Sequence, residues 1–181
     1  GYGDDPVTER ARLLIARLCE MPEAGVHFFV GGTQVNLTVI AAALRPFEGV
    51  LCADSGHINV HETGAVEATG HKVLPLPAHD GKITAEQVRG AFLSHIQDAT
   101  HEHMVRPGMV YVSQPTELGT LYSAAELAAL RAVTLEYGLA LFVDGARLGY
   151  ALAAELKVDL PYLARHCDAF TIGGTKCGAL F

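Results

Sequence analysis

Tryptophan is absent from this chain of 181 residues, cysteine occurs four times, and no two cysteines stand in a CxxC pair. That excludes a cysteine-built zinc module and a disulfide scaffold. Cys19, Cys52, Cys167 and Cys177 lie inside apolar runs and read as reduced, mostly buried thiols, with the cytoplasm as the expected compartment. Basic residues are scarce as well: 13 Lys and Arg stand against 20 Asp and Glu, a formal charge of −7 with no basic cluster. The electrostatic footprint of a nucleic-acid or anionic-membrane binder is missing, and a small molecule is the expected partner. No apolar run reaches the ~18 residues of a membrane span. The acidic start GYGDDPVTER also lacks the basic-then-apolar order of a signal peptide. GxGxxG and GxxxxGK[ST] do not occur, so neither a dinucleotide fingerprint nor a Walker loop is present. HExxH is missing too. His57 and His61 with Glu62, and the pair His101 and His103, find no cysteine pair to complete a ligand set, so no metal centre is expected.

What is present is a globular composition, half of it apolar and 18% charged, in which short apolar runs alternate with amphipathic stretches. Strands are expected at Val26–Val30, Val50–Ala53, Lys72–Leu76, Met109–Ser113, Leu139–Val143 and Ala169–Ile172. Helices are expected at Thr8–Met21, Asn36–Leu44, His57–Thr69 and from Thr84 to about Ile96. A further helix is capped by Ser123 with Glu126 and closed by Gly138, and one or two more fall within Leu148–His166. Strands apolar on both faces and separated by helices argue for an α/β fold of three α/β/α layers around a mostly parallel sheet. In such sheets ligands sit beyond the carboxyl ends of the strands. The chain opens without methionine and closes in the Gly-rich apolar segment Lys176–Phe181, which reads as part of something longer.

Four polar clusters follow expected strands: Gly31-Gly32-Thr33-Gln34, Asp54-Ser55-Gly56-His57, Asp144-Gly145-Ala146-Arg147 and Gly173-Gly174-Thr175-Lys176. The first precedes a helix, so its bare amides suit a phosphate, although a tight turn needing small residues explains it too. Asp144 ends five apolar residues and calls for a cationic partner. Arg147 is one candidate, which would make a structural strand-end pair. A pyridinium nitrogen is the other: two unit charges about 4 Å apart at an effective dielectric near 20 gain about 4 kcal/mol before desolvation. Lys176 leaves a buried strand in a Gly-rich loop, where a desolvated amine can attack an aldehyde, while a loop-tip surface lysine is the plainer reading.

Together, FVGGTQVN, DSGHINVHE, LFVDGARLG and FTIGGTKCGALF resemble, in matching order from about residue 25 onward, the threonine aldolases. These belong with the β-eliminating lyases among the pyridoxal 5'-phosphate (PLP) enzymes of aspartate-aminotransferase fold, or fold type I. The resemblance implies an N-terminal helical segment over 1–25 and a partial PLP-binding large domain over 26–181. It implies that Lys176 is the Schiff-base lysine, with Thr175 near the cofactor phosphate, and that Gly32, Thr33 and Gln34 cradle that phosphate. His57 is implied to stack on the pyridine ring, Asp144 to pair with its nitrogen, and Arg147 to help hold the substrate carboxylate. Lys176 and His57 are then the expected catalytic residues. The implied reaction cleaves L-threonine or L-allo-threonine to glycine and an aldehyde, in a homodimer or homotetramer. A PLP-dependent β-elimination on another amino acid is the alternative within the fold, and a non-catalytic interaction module the alternative outside it. The family's usual Glu-Asn-Thr-His-Asn segment is replaced by Ser113-Gln114-Pro115-Thr116-Glu117. With that histidine gone, His57, His61, Glu117 and a water stay open as the base for the substrate hydroxyl.

Overall fold

The computed structural model describes residues 4–154 and 157–179. Helix ends follow local side-chain chemistry. Helix α1 (Pro6–Leu18) starts on Asp5, whose carboxylate accepts from the Val7 and Thr8 amides at 3.0 and 2.9 Å. Helix α2 (Gly32–Ala43), strand β1 (Glu48–Ala53), the single turn α3 (His57–Val60) and strand β2 (Val73–Leu76) follow. Thr84 and Gln87 form a capping box at the start of α4 (Ala85–Gln97), which leads to β3 (Arg106–Ser113). The expected Ser123–Glu126 box opens α5 (Ala124–Tyr137), and Gly138 closes it at φ 66°, in the left-handed region that favours glycine. Strand β4 (Ala140–Asp144), helices α6 (Leu148–Ala154) and α7 (Leu160–His166) and the short β5 (Ala169–Phe170) follow.

The strands form one all-parallel sheet in the order β2-β1-β3-β4-β5. The expected α/β class is therefore correct, and the alternation along each strand builds both faces. Leu51, Val110, Leu141 and Val143 turn towards α4, α5 and α7, packing with Phe92, Leu130 and Leu163. Their neighbours Val50, Cys52, Met109, Tyr111 and Phe142 turn the other way, onto Ile40 of α2 and Leu44 just beyond it. Two covered faces make three layers. The chain leaves β1 to form β2 on one side and returns to place β3 on the other, so the order reverses between β1 and β3. In open parallel sheets ligands bind outside the carboxyl ends of the strands at such a reversal.

Three expected elements differ. Val26–Val30 is no strand: it joins no ladder, and Phe28 and Val30 are 52% and 97% exposed. An apolar run becomes a strand only where a neighbour offers a hydrogen-bonding edge, and this one lies on the surface, with the Arg12 guanidinium donating to the Val26 carbonyl at 3.1 Å. Helix α2 begins at Gly32, so Gly32, Thr33 and Gln34 form its first turn rather than a loop before it. The stretch His57–Thr69 is broken after one turn, with Thr63 and Gly64 at φ 51° and 75°. The chain turns tightly at His79-Asp80-Gly81-Lys82, with both central residues at positive φ.

His95, on α4, is buried with Nδ1 lacking a partner among the described residues. Burial pushes its pKa below the ordinary 6.5, His101 and Arg106 push the same way, and Asp98 opposes them. The unfolded chain therefore takes up this proton first as pH falls. Stability is full above pH 6.5 and declines as pH drops from there through the lowered folded value. Thermal unfolding at stepped pH should show this decline, and His95→Phe should flatten it.

Candidate active site

Parallel pairing sets Ser113 of β3 beside Asp144 of β4 in register at the carboxyl edge of the sheet. Asp144 is 6% exposed, and its carboxylate accepts four hydrogen bonds. Oδ1 takes the Ala146 amide at 2.8 Å and the Thr171 hydroxyl at 3.3 Å. Oδ2 takes the Asn36 Nδ2 at 3.0 Å and the Tyr111 hydroxyl at 2.5 Å. Burial and the neighbouring negative Asp144 hold the Tyr111 phenol well above its usual pKa, so it remains a donor. The strand-end ion pair that the Asp144–Arg147 spacing allowed is not formed. Arg147 is exposed and makes no side-chain hydrogen bond or ion pair among the described residues.

Asn36, in the second turn of α2 and 1% exposed, is the hub of the cluster. Its Nδ2 also donates to Glu62 Oε1 at 2.7 Å, so one amide spans two buried carboxylates. Glu62 Oε1 in turn meets His57 Nδ1 at 2.7 Å, which orients the imidazole as a carboxylate partner does beside many functional histidines. From the loop after β3, Glu117 Oε1 accepts from the His57 amide at 3.0 Å and from the Ser113 hydroxyl at 2.6 Å. Asp144, Asn36, Glu62, His57, Glu117, Ser113 and Tyr111 thus close a ring, its last contact a marginal 3.5 Å between the Ser113 and Tyr111 hydroxyls. Asn36 Oδ1, Glu62 Oε2 and Ser55 Oγ are buried and lack partners among the described residues. Buried oxygens of this kind mark a place where a further donor is wanted.

The remaining expected residues lie around this ring. The first turn of α2 is exposed, and its earliest intrahelical bond runs from the Val35 amide to the Gly31 carbonyl. The Gly32, Thr33 and Gln34 amides are left as open donors at a helix N-terminus, one turn from Asn36. A side chain at Gly31 or Gly32 would meet nothing within 4 Å, so this turn is not packed against the rest of the chain on its Cβ side. The Gln34 side chain folds back to accept weakly from the Val30 amide at 3.4 Å. Lys176 and Thr175 are exposed, in a tight turn after β5. That turn is tied to Asp144 by backbone contact: the Gly173 amide donates to the Gly145 carbonyl at 2.9 Å, and the Gly145 amide to Thr171 Oγ1 at 2.7 Å. A Cβ on Gly145 would collide with the Thr171 carbonyl, and one on Gly173 would lie 2.5 Å from the Ala146 carbonyl. Only glycine permits this approach.

Sequence reading brought Asp144 and His57 to one edge but missed Asn36, Tyr111 and Thr171 as their partners, and took Glu62 only as a metal ligand to be dismissed. Asn36 had one signal, a polar residue opening an otherwise apolar helix. Among the described residues no three of the His, Cys, Asp and Glu side chains are grouped to hold a metal ion.

The sequence model of the beta-eliminating lyase family matches residues 1–180. The chain belongs to that family. Similar curated members are low specificity L-threonine aldolases. That of Pseudomonas aeruginosa is 35% identical, over 98% of this chain and 51% of its own length, and that of Saccharomyces cerevisiae is 30% identical, over 94% and 43%. The chain spans about half the length of the curated relatives it matches. A solved threonine aldolase of Leishmania major superposes with TM-score 0.94 at 47% identity, covering all of this chain and 52% of that one. Thermus thermophilus aspartate aminotransferase, at TM-score 0.51 and 23% identity over 64% of this chain and 28% of its own, shares the fold.

For this beta-eliminating lyase member the hydrogen-bonded ring predicts its own energetics. Asn36→Leu removes the donor shared by two buried carboxylates and should cost about 1–3 kcal/mol in denaturant unfolding, while Thr33→Ala on the exposed first turn should stay within about 0.5 kcal/mol. Gly145→Ala should also destabilise, because the β4 and β5 loops must separate to admit the methyl group.

Proposed function

We propose that the protein is a PLP-dependent carbon–carbon lyase of threonine aldolase type, cleaving L-threonine or L-allo-threonine to glycine and an aldehyde. The observation that carries this reading is Asp144, a buried carboxylate at the strand edge with four hydrogen-bond donors and no cationic side chain among the described residues. The names of the similar proteins support the same substrate class.

The residues present fit the cofactor. Asp144 suits a protonated pyridine nitrogen, the open amides of Gly32, Thr33 and Gln34 suit a phosphate, and His57, fixed by Glu62, offers a flat face. Lys176 would supply the amine for the covalent link, Thr175 beside it would serve the phosphate, and the exposed Arg147 would grip a substrate carboxylate in bidentate fashion. Bound there, PLP supplies an electron sink for the pair released when a bond to the α-carbon breaks. The chain's own part is to hold that sink. The Asn36 and Tyr111 donors keep Asp144 in place, and the Gly145–Gly173 contact keeps the Lys176 turn against it.

The unit at 26–181 is taken as the PLP-binding domain and 1–25 as a helical segment before it. A homodimer or homotetramer is supported by the apolar surface of the first thirty residues, where Leu13, Leu14, Phe28 and Val30 are exposed. Among the described residues no helix is long and apolar enough to cross a membrane, and the cytoplasm is the proposed compartment.

Dialysed with PLP, the protein should show a visible absorption band that Lys176→Ala lacks, and borohydride should fix the cofactor to Lys176. Incubated with L-threonine it should release glycine and acetaldehyde. Pyruvate and ammonia from another amino acid would point instead to β-elimination, and a protein that takes up no PLP would refute both.

A further inference from the structure

Resting on the carbon–carbon cleavage proposed above, we infer that Glu117 is the catalytic base that removes the proton of the substrate's β-hydroxyl. Glu117 lies in the loop after β3, and the bond from the His57 amide to its Oε1 crosses from the end of β1 to the end of β3. That is the point where the strand order reverses. The carboxylate is therefore at the carboxyl edge of the sheet, at that reversal, rather than on an outer loop.

Its two oxygens are differently placed. Oε1 is anchored by the His57 amide at 3.0 Å and the Ser113 hydroxyl at 2.6 Å. Oε2 has no partner among the described residues and is not among the enclosed polar atoms, so it is open to whatever enters. The loop beneath is held from several sides. Gln114 donates to the Tyr122 carbonyl at 3.0 Å and accepts from the Tyr122 amide at 2.8 Å, and the Thr116 and Thr120 hydroxyls meet at 2.6 Å. A base held by two donors, with its second oxygen bare, is oriented before substrate arrives.

The other candidates are worse placed. His57, its Nδ1 held by Glu62, is assigned above to the face of the cofactor ring rather than to the substrate hydroxyl. His61 is exposed, 5.2 Å from the His57 ring and tilted by 48°, and no hydrogen bond among the described residues orients it. Thr116 is buried and bonded to Thr120.

The step balances without any further reactant. The O–H proton passes to Glu117 Oε2, and the O–H pair becomes the second bond of the aldehyde carbonyl. The Cα–Cβ bond breaks, and its pair remains with the glycine portion until the α-carbon takes up a proton. Glu117 returns its own proton to solvent.

The test compares wild type with Glu117→Gln, which keeps an oxygen for both anchoring donors and loses the basic one. Four readouts are taken: PLP affinity of the apoprotein by equilibrium dialysis, exchange of the glycine α-hydrogens in deuterium oxide, and kcat and KM for L-threonine cleavage. The inference expects kcat for cleavage to fall about 100-fold or more, with PLP affinity and glycine exchange within about threefold of wild type. Added formate should restore cleavage in Glu117→Ala, which a structural role would not allow. Cleavage by Glu117→Gln within about threefold of wild type overturns the inference while the aldolase reading stands. So does a joint loss of cofactor affinity, exchange and cleavage without rescue by formate, which would make Glu117 an anchor for His57. A wild-type protein that binds PLP and exchanges glycine but cleaves no β-hydroxy amino acid overturns the aldolase reading, and this inference with it.

Discussion

The two hydrogens of the Asn36 amide, one on Asp144 and one on Glu62, tie together the hydrogen-bonded ring at the carboxyl edge of the sheet. Two buried carboxylates on neighbouring elements repel and are costly to desolvate unless donors stand between them. A single amide from α2 does this for both, and so ties a helix packed on one face of the sheet to the ends of the strands. Through Glu62 the constraint reaches His57, and through His57 it reaches Glu117 in the loop after β3. The position of α2 also fixes the open amides of its first turn, one turn from Asn36. The open amides of that turn, a buried carboxylate and an oriented imidazole are thereby set in relation to one another by contacts within the chain.

The strand order explains why these groups come from distant parts of the chain. Asn36 and Asp144 are 108 residues apart, and His57 and Glu117 are 60, yet parallel strands deliver all their following loops to one edge. Glycine then brings the last loop in. With Cβ atoms excluded at Gly145 and Gly173, the segments carrying Asp144 and Lys176 touch through their backbones. The polar loops of this fold are therefore positioned by the core beneath them and by two residues that have no side chain.

Much of this was legible from residues alone where the signal was local. The Ser123–Glu126 box, the helix opening at Thr84 and the closing Gly138 depend on neighbours in sequence, and each is where local chemistry put it. Doubly buried strands announced a parallel sheet, and with it the edge at which Asp144 and His57 meet. The missed features depend on long-range partners. Val26–Val30 has the composition of a strand and no edge to join. The helical start at Gly32 was hidden because two glycines read as a loop, although the rest of α2 packs well enough to extend the helix through one of them. Tyr111 looked like one more aromatic strand residue, and only its register, two positions before Ser113 and opposite Phe142, places its hydroxyl on Asp144.

In the proposed function Asp144, held by Asn36 and Tyr111, keeps a pyridine nitrogen protonated. The most direct measurement is the NMR signal of an isotope-labelled ring nitrogen in PLP bound to wild type and to Asp144→Asn. A protonated nitrogen is expected in wild type, with loss of that proton in Asp144→Asn. An unprotonated nitrogen in wild type, or the same signal in both proteins, would contradict it.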